Sequence, residues 1–275
     1  MTLAAGDLVL CAGTLESTPL LERLAPARAA GFDGVSVFTS DVSTALQAGH
    51  SARELRKRIE GEGLAIGEFD PIAKWFPSAM DGGGLLAMDA DDALRHAETL
   101  GARSVTAVVF PATPPSRDEL VENFANLCER GTNVGVQVHI EFIPFTPVAN
   151  LADAIDLVEA AGHPNGGVML DVWHLFRSGG SAADIAAVAP RIYGVQLDDA
   201  PTEPAENLMF ETTTARLLPG EGDAGVADIL RALREGGSPA PLGVEVFAES
   251  LKQQPAAAVA RQAYEATQSC IEASR

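Results

Sequence analysis

Short apolar runs alternate with longer amphipathic stretches along the chain. The apolar runs are Leu8–Ala12, Gly34–Phe38, Leu64–Phe69, Ser104–Phe110, Val134–Glu141, Gly167–Asp171, Ile192–Leu197 and Leu242–Phe247. They are continuous and rich in Val, Ile and Leu, as strands covered on both faces are. Between them, helical periodicity runs over Leu20–Ala30, Ala52–Glu62, Ala87–Leu100, Ser116–Arg130, Asn150–Ala161, Ser181–Ala189, Asp223–Glu235 and Pro255–Ile271. Gly31, Gly63, Gly101 and Gly162 follow such stretches, where a chain leaving a helix turns left-handed. Asn150 suits a helix cap, Ser116 and Glu119 have capping-box spacing, and Pro255 stands where a first turn tolerates it.

Strand and helix therefore alternate eight times. Repetition of that unit predicts an α/β fold with a parallel sheet, closed most economically as a (β/α)8 TIM barrel. An open doubly wound sheet is the alternative. Its dinucleotide-binding version is weakened because no GxGxxG follows the first strand, and no GxxxxGK[ST] phosphate loop occurs. With no internal duplication and no dividing linker, residues 1–275 read as one domain.

Composition narrows the function. Hydrophobic residues make up 47% and charged residues 21%, enough for a large core and against disorder. Nineteen Lys and Arg face 38 Asp and Glu, a formal charge of −19. So acidic a surface repels nucleic-acid backbones and anionic membranes. No apolar stretch is long enough to span a bilayer, and the first residues lack the basic region of a signal peptide. Cys11, Cys128 and Cys270 form neither a disulfide framework nor a zinc spacing, which fits the cytoplasm.

In a parallel barrel, chemistry collects at the C-terminal ends of the strands. Strand five ends in Glu141, strand six in Asp171, and strand eight carries Glu245 near its end. Strand seven carries Gln196 just before the Leu-Asp-Asp turn. A single acid at a strand end is usually a helix cap or a loop ion pair. Three carboxylates and an amide converging on one mouth need a compensating charge. One divalent cation is the simplest, and oxygen donors suit Mn2+ or Mg2+, with Co2+ and Zn2+ as alternatives. His139 shares a strand face with Glu141, either supporting the site or hydrogen-bonded within the barrel. His174 follows Asp171 by three and is expected to line the mouth, whereas His50, His96 and His163 read as surface residues.

Five segments then carry a resemblance: HIEF (139–142), LDVWH (170–174), VQLDDA (195–200), RLLPGEGD (216–223) and GVEVF (243–247). The chain resembles the xylose-isomerase-like, AP-endonuclease-2-like barrel superfamily of sugar isomerases and epimerases over nearly its whole length. The resemblance implies that Glu141, Asp171 and Glu245 are metal ligands. The family commonly has His at the fourth position, where this chain has Gln196, a neutral donor that disfavours a zinc-loving site. Some dehydratases of the family, acting on 3-dehydroshikimate, also use Gln there. AP endonucleases need three zinc ions, many His and Asp residues and a grip on DNA, which five His and this charge do not supply.

The implied chemistry is metal-dependent isomerisation or epimerisation. Glu141 or Glu245 takes the proton from the carbon beside a carbonyl, giving an enediolate, and the opposite glutamate returns it. Arg216 matches an Arg that binds substrate hydroxyls or a carbonyl. In a lyase, the alternative, a β-hydroxyl leaves with help from His174. A non-catalytic binding protein on an inherited barrel is a third reading, opposed by the intact Glu141 and Glu245. Relatives are often dimers or tetramers.

Lys74, Trp75 and Phe76 follow strand three, and Trp173 follows strand six, so Lys74, Trp75 and Trp173 join the expected substrate-binding residues. Phe110, Phe142, Phe145, Phe176, Phe210 and Phe247 also stand near strand ends. Aromatic side chains there suit the apolar face of a sugar, cyclitol or cyclic ketone, or else pack in the core. Basic residues near the mouth are few, namely Lys74, Arg177 and Arg216, which favours a substrate without phosphate.

Overall fold

Strands apolar on both faces are satisfied when helices cover one face and the opposite strands cover the other. In the computed structural model, which describes residues 2–275, β1 (Leu8–Leu10), β2 (Gly34–Phe38), β3 (Ala65–Ile72), β4 (Ser104–Ala107), β5 (Gln137–Glu141), β6 (Gly166–Asp171), β7 (Ile192–Leu197) and β8 (Leu242–Val244) do this. They pair in sequence order, all parallel, and β8 closes on β1 through the register Leu8↔Leu242 to Leu10↔Val244. Thr14 seals that seam, its hydroxyl donating to the Val244 carbonyl and accepting from the Val246 amide. The expected (β/α)8 TIM barrel is what forms.

The surrounding helices are α1 (Leu20–Ala30), α2 (Thr39–Gln47), α3 (Ala52–Gly61), α4 (Ala90–Leu100), α5 (Arg117–Asn133), α6 (Leu151–Ala161), α7 (Val172–Arg177), α8 (Leu208–Thr214), α9 (Val226–Glu235), α10 (Glu249–Lys252) and α11 (Ala256–Ala273). Phe32, Phe69, Phe124 and Phe142 are fully buried in the apolar core. The Asn150 side chain caps α6, and Gly162 (φ 64°) ends it in the left-handed region. No described helix is long and apolar enough to cross a membrane.

Several boundaries differ from the sequence expectation. Helix α5 continues past Arg130 to Asn133, and Gly135 turns the chain at φ 72°, so β5 begins at Gln137 rather than Val134. Strand β3 continues to Ile72, while β4 stops at Ala107 and β8 at Val244. Ser181–Ala189 is no α-helix. It holds a 3-10 turn at Ala182–Asp184 and leads into another at Ala189–Arg191, and α7 already stands directly after β6. The Ser116 cap forms, but Glu119 does not reach back to it. Its carboxylate accepts instead from the Ser78 amide and hydroxyl, tying the loop after β3 to α5.

Candidate functional site

Side chains alternate along a strand, so the inward set is fixed by parity. Glu68 and Asp70 on β3, Thr106 on β4, His139 and Glu141 on β5, Asp171 on β6 and Gln196 on β7 all stand on the inward parity, with Glu245 one residue past β8. Asp171 and Gln196 are register partners, and Gln196 pairs in turn with Gly243. Asp171 and Gln196 thus stand at one level of the C-terminal mouth.

Asp171 organises the centre. One of its oxygens caps α7 by accepting from the His174 amide at 2.8 Å. That bond fixes the first turn and brings His174 Nε2 to 3.2 Å from Glu141 Oε1 and 3.9 Å from Asp171 Oδ2. Ligand atoms of Glu141, Asp171 and His174 all lie within 4.8 Å of one another, a carboxylate–imidazole group able to hold a metal ion. This compact trio differs from the expected ligand set: it includes His174, and Glu245 does not come within that distance of all three.

Arg216 lies behind Asp171. Its Nη1 donates to Asp171 Oδ2 at 2.6 Å and to Asp198 Oδ2 at 2.7 Å. Its Nε and Nη2 donate to the carbonyl and hydroxyl of Thr212, both at 2.8 Å. Asp198 Oδ1 accepts from the Trp173 amide at 2.8 Å. Arg216 also lies 5.7 Å from the centre of the Trp173 ring, within cation–π reach. Arg216, expected to bind substrate, engages four of its five N–H donors inside the chain.

Burial would raise the Asp171 pKa, but the Arg216 and His174 charges and the bonds to both outweigh it and hold the carboxyl below its usual range. Asp198 goes the other way, raised by burial and by the neighbouring Asp171 against the pull of Arg216. Burial opposes the Arg216 charge, yet Asp171, Asp198 and Glu245 raise its pKa. Glu245 is raised well above normal by burial, with Glu68, Glu141 and Asp171 adding to it and Arg216 opposing. Arg216 thus favours the charged form of Asp171, while burial pushes Asp198 and Glu245 toward their neutral forms.

Polar atoms without a chain partner mark the space itself. Gln196 Oε1, Glu245 Oε1 and His174 Nδ1 are buried and accept or donate nothing. The backbone also makes room for Glu245, because a Cβ on Gly13 would fall 2.9 Å from Glu245 Cγ and 2.5 Å from the Phe247 ring.

Other expected site residues are placed differently. His139 is fully buried a layer below Glu141, beside Gly194. Burial, then Arg103, pushes its pKa down to about 3, and neither ring nitrogen has a hydrogen-bond partner among the described residues. The Trp75 ring is buried, donates Nε1–H to the Val108 carbonyl and packs on Phe76 and on Phe124 of α5. Its place is thus the packing between β3 and α5. Lys74 is paired with Asp81. Trp173 is fully buried and supports Arg216 from behind, its Nε1 donating to Glu211 at 3.0 Å. Phe142 belongs to the core, while Phe145 and Phe210 are exposed.

Sequence reading passed over Asp198, Glu68 and Asp70. Asp198 lies inside the VQLDDA segment and was legible there. Glu68 and Asp70 flank Phe69 at the end of a run read as apolar, and their two-residue spacing was the available signal.

Comparison with known proteins agrees with this architecture. The chain is 28% identical over 246 residues to a 3-dehydroshikimate dehydratase of Pseudomonas putida, covering 87% of this chain and 38% of that protein. It therefore spans well under half the length of that relative. It is 25% identical over 244 residues to an inosose isomerase of Halalkalibacterium halodurans, covering 86% of each. Among solved structures, the IOLI protein with a bound zinc atom superposes with a TM-score of 0.84 at 20% identity, covering 97% of this chain and 98% of that one. The model of the xylose isomerase-like TIM barrel family matches residues 24–270, and the chain belongs to that family.

Proposed function

We propose that the chain is a divalent-metal-dependent isomerase or epimerase of uncharged sugars or cyclitols, moving a carbon-bound proton between Glu141 and Glu245. The observation that carries this reading is the acidic mouth itself. Glu141 and Glu245 rise from strands three places apart around the ring, so they approach one substrate from different directions. Glu141, Asp171, Gln196 and Glu245 are the residues proposed to hold the metal. Three carboxylates and an amide oxygen suit Mn2+ or Mg2+, and the partnerless Gln196 Oε1 and Glu245 Oε1 fit that use. When bound, the ion supplies Lewis-acid polarisation of a carbonyl and its neighbouring hydroxyl.

The chain's own groups do the rest. Arg216 fixes Asp171 and offsets its charge. His174 Nε2 orients Glu141 and can share its proton. The three cations nearest the mouth are engaged: Lys74 with Asp81, Arg177 with Glu211, and Arg216 with Asp171 and Asp198. That supports an uncharged substrate over a phosphorylated or carboxylated one. The buried free thiols Cys11, Cys128 and Cys270 support a reducing, cytoplasmic setting.

One observation favours a second reading, dehydration of 3-dehydroshikimate: Gln196 stands at the fourth position, and the dehydratase relative is similar over most of this chain. His174 would then protonate the leaving hydroxyl. The test is to load the protein with Mn2+ and incubate it in deuterated water with an inosose and, separately, with 3-dehydroshikimate. Deuterium entering the inosose, lost in Glu141→Ala and Glu245→Ala, supports the isomerase. A conjugated, ultraviolet-absorbing product from 3-dehydroshikimate alone replaces it with the lyase.

A further inference from the structure

Glu68 and Asp70 stand two residues apart on β3 and point to the same side, while Phe69 between them is fully buried in the apolar core. The two acids are treated differently. Glu68 is tied within the barrel, accepting from Cys11 Sγ at 3.4 Å and from the Thr106 hydroxyl at 3.3 Å. Asp70, one layer nearer the mouth and 4% exposed, accepts from no donor among the described residues, and its Oδ1 is buried without a partner. The charges that act on it most strongly are Glu68, Glu245 and Glu141 of the barrel and Asp41 of α2, all acidic. A buried polar group left this way is costly unless something completes it.

The candidates for that partner are few. Asp70 belongs to no group of acids and imidazoles close enough to hold a cation. An anionic ligand would add negative charge to four acids. The closed ring places β3 across from β7, so Asp70 faces the wall of Gln196. A substrate held on the β5–β8 side turns its far side toward Asp70.

We propose that Asp70 binds a hydroxyl group of the substrate and selects for ligands that present one there. This rests on the reading of β5–β8 as the metal and proton-transfer side. A hydroxyl both donates and accepts, so it satisfies the carboxyl in either protonation state. That matters because burial, followed by repulsion from Glu68, Glu245 and Glu141, raises the Asp70 pKa well above its usual range.

The test uses full-length Asp70→Leu and Asp70→Asn beside wild type, loaded with Mn2+. Inosose binding is read by calorimetry, metal content by elemental analysis and stability by melting. Leucine removes a buried acid without a partner, so Asp70→Leu is expected to melt higher than wild type. It keeps its metal and binds inosose about tenfold more weakly. Asparagine can donate and accept, so Asp70→Asn stays within about threefold of wild type. Unchanged binding by Asp70→Leu overturns the proposal, as does loss of metal in that variant or failure of asparagine to rescue. If wild type binds metal but neither inosose nor 3-dehydroshikimate, the underlying functional reading falls with it. If wild type binds and turns over inosose and Asp70→Leu does the same, Asp70 alone is wrongly assigned.

Discussion

The half of the barrel from β5 to β8 and the half from β1 to β4 both turn acids inward, but they stabilise them differently. In the later half, Asp171 and Asp198 share Arg216, which is held in turn by Thr212, and Glu141 meets His174. In the earlier half, Glu68 accepts only from a thiol and a hydroxyl, with Arg103 acting on it without a bond, and Asp70 accepts from no donor among the described residues. Ion pairs keep a buried carboxylate charged and fixed. A hydroxyl or thiol tolerates a neutral carboxyl, and the proton then does the work of the missing cation. Asp171 on one wall is thus held in its charged form, whereas Glu68 and Asp70 on the other are shifted toward neutral hydrogen bonding.

The largest test of that contrast is Arg216→Ala. It leaves Asp171 and Asp198 buried without their cation and should destabilise the protein by about 3–5 kcal/mol in urea unfolding. A loss below about 1 kcal/mol would mean that the later half does not depend on its guanidinium. Next comes Glu141→Gln, which keeps the shape of the side chain. Proton exchange into inosose should fall about 10³-fold while the melting temperature hardly moves. Activity near that of wild type would remove Glu141 from the chemistry.

The earlier half is tested by pH, on metal-free protein. Burial, and to a lesser extent Glu141, raises Glu68 from 4.5 to about 7, against the bonds from Cys11 and Thr106 and the pull of Arg103. A pKa higher in the folded state means stability that is complete below pH 4.5 and lost as pH rises through 7. The span is of the order of 3 kcal/mol. Urea midpoints for Glu68→Gln should therefore lose that share of the decline, and a curve parallel to wild type would count against it. Smallest is Ser116→Ala, at the cap of α5. Removing that cap should cost about 1 kcal/mol and leave activity unchanged, which calibrates the others.

The barrel was legible because its signal is repeated. Each apolar run marked a strand, and Leu20–Ala30 and Gly34–Phe38 match their elements end to end. The position of the mouth followed from strand ends, so Glu141, Asp171, Gln196 and Glu245 could be named before their geometry was known. What the pattern could not carry was competition for partners. Nothing local in the sequence says that Glu119 prefers Ser78 to Ser116, or that Arg216 is held by Asp171 and Asp198. The depth of Trp75 and His139 was not legible for a related reason: proximity to a strand end in sequence does not fix burial. Helices α2, α7, α8 and α10 were missed because each is short and its periodicity is lost among loop residues.

The β1–β8 seam has a consequence for how the protein is made. Thr14 bonds to Val244 and Val246, some 230 residues away in the chain. Contacts so distant in sequence are slow to form and cannot be made early in synthesis. Glu245 stands beside that seam, so a chain still emerging from the ribosome holds Glu141 and Asp171 before it can bring in their partner. On the proposed reading, competence for chemistry arrives with ring closure, because only then do Glu141, Asp171 and Glu245 stand together.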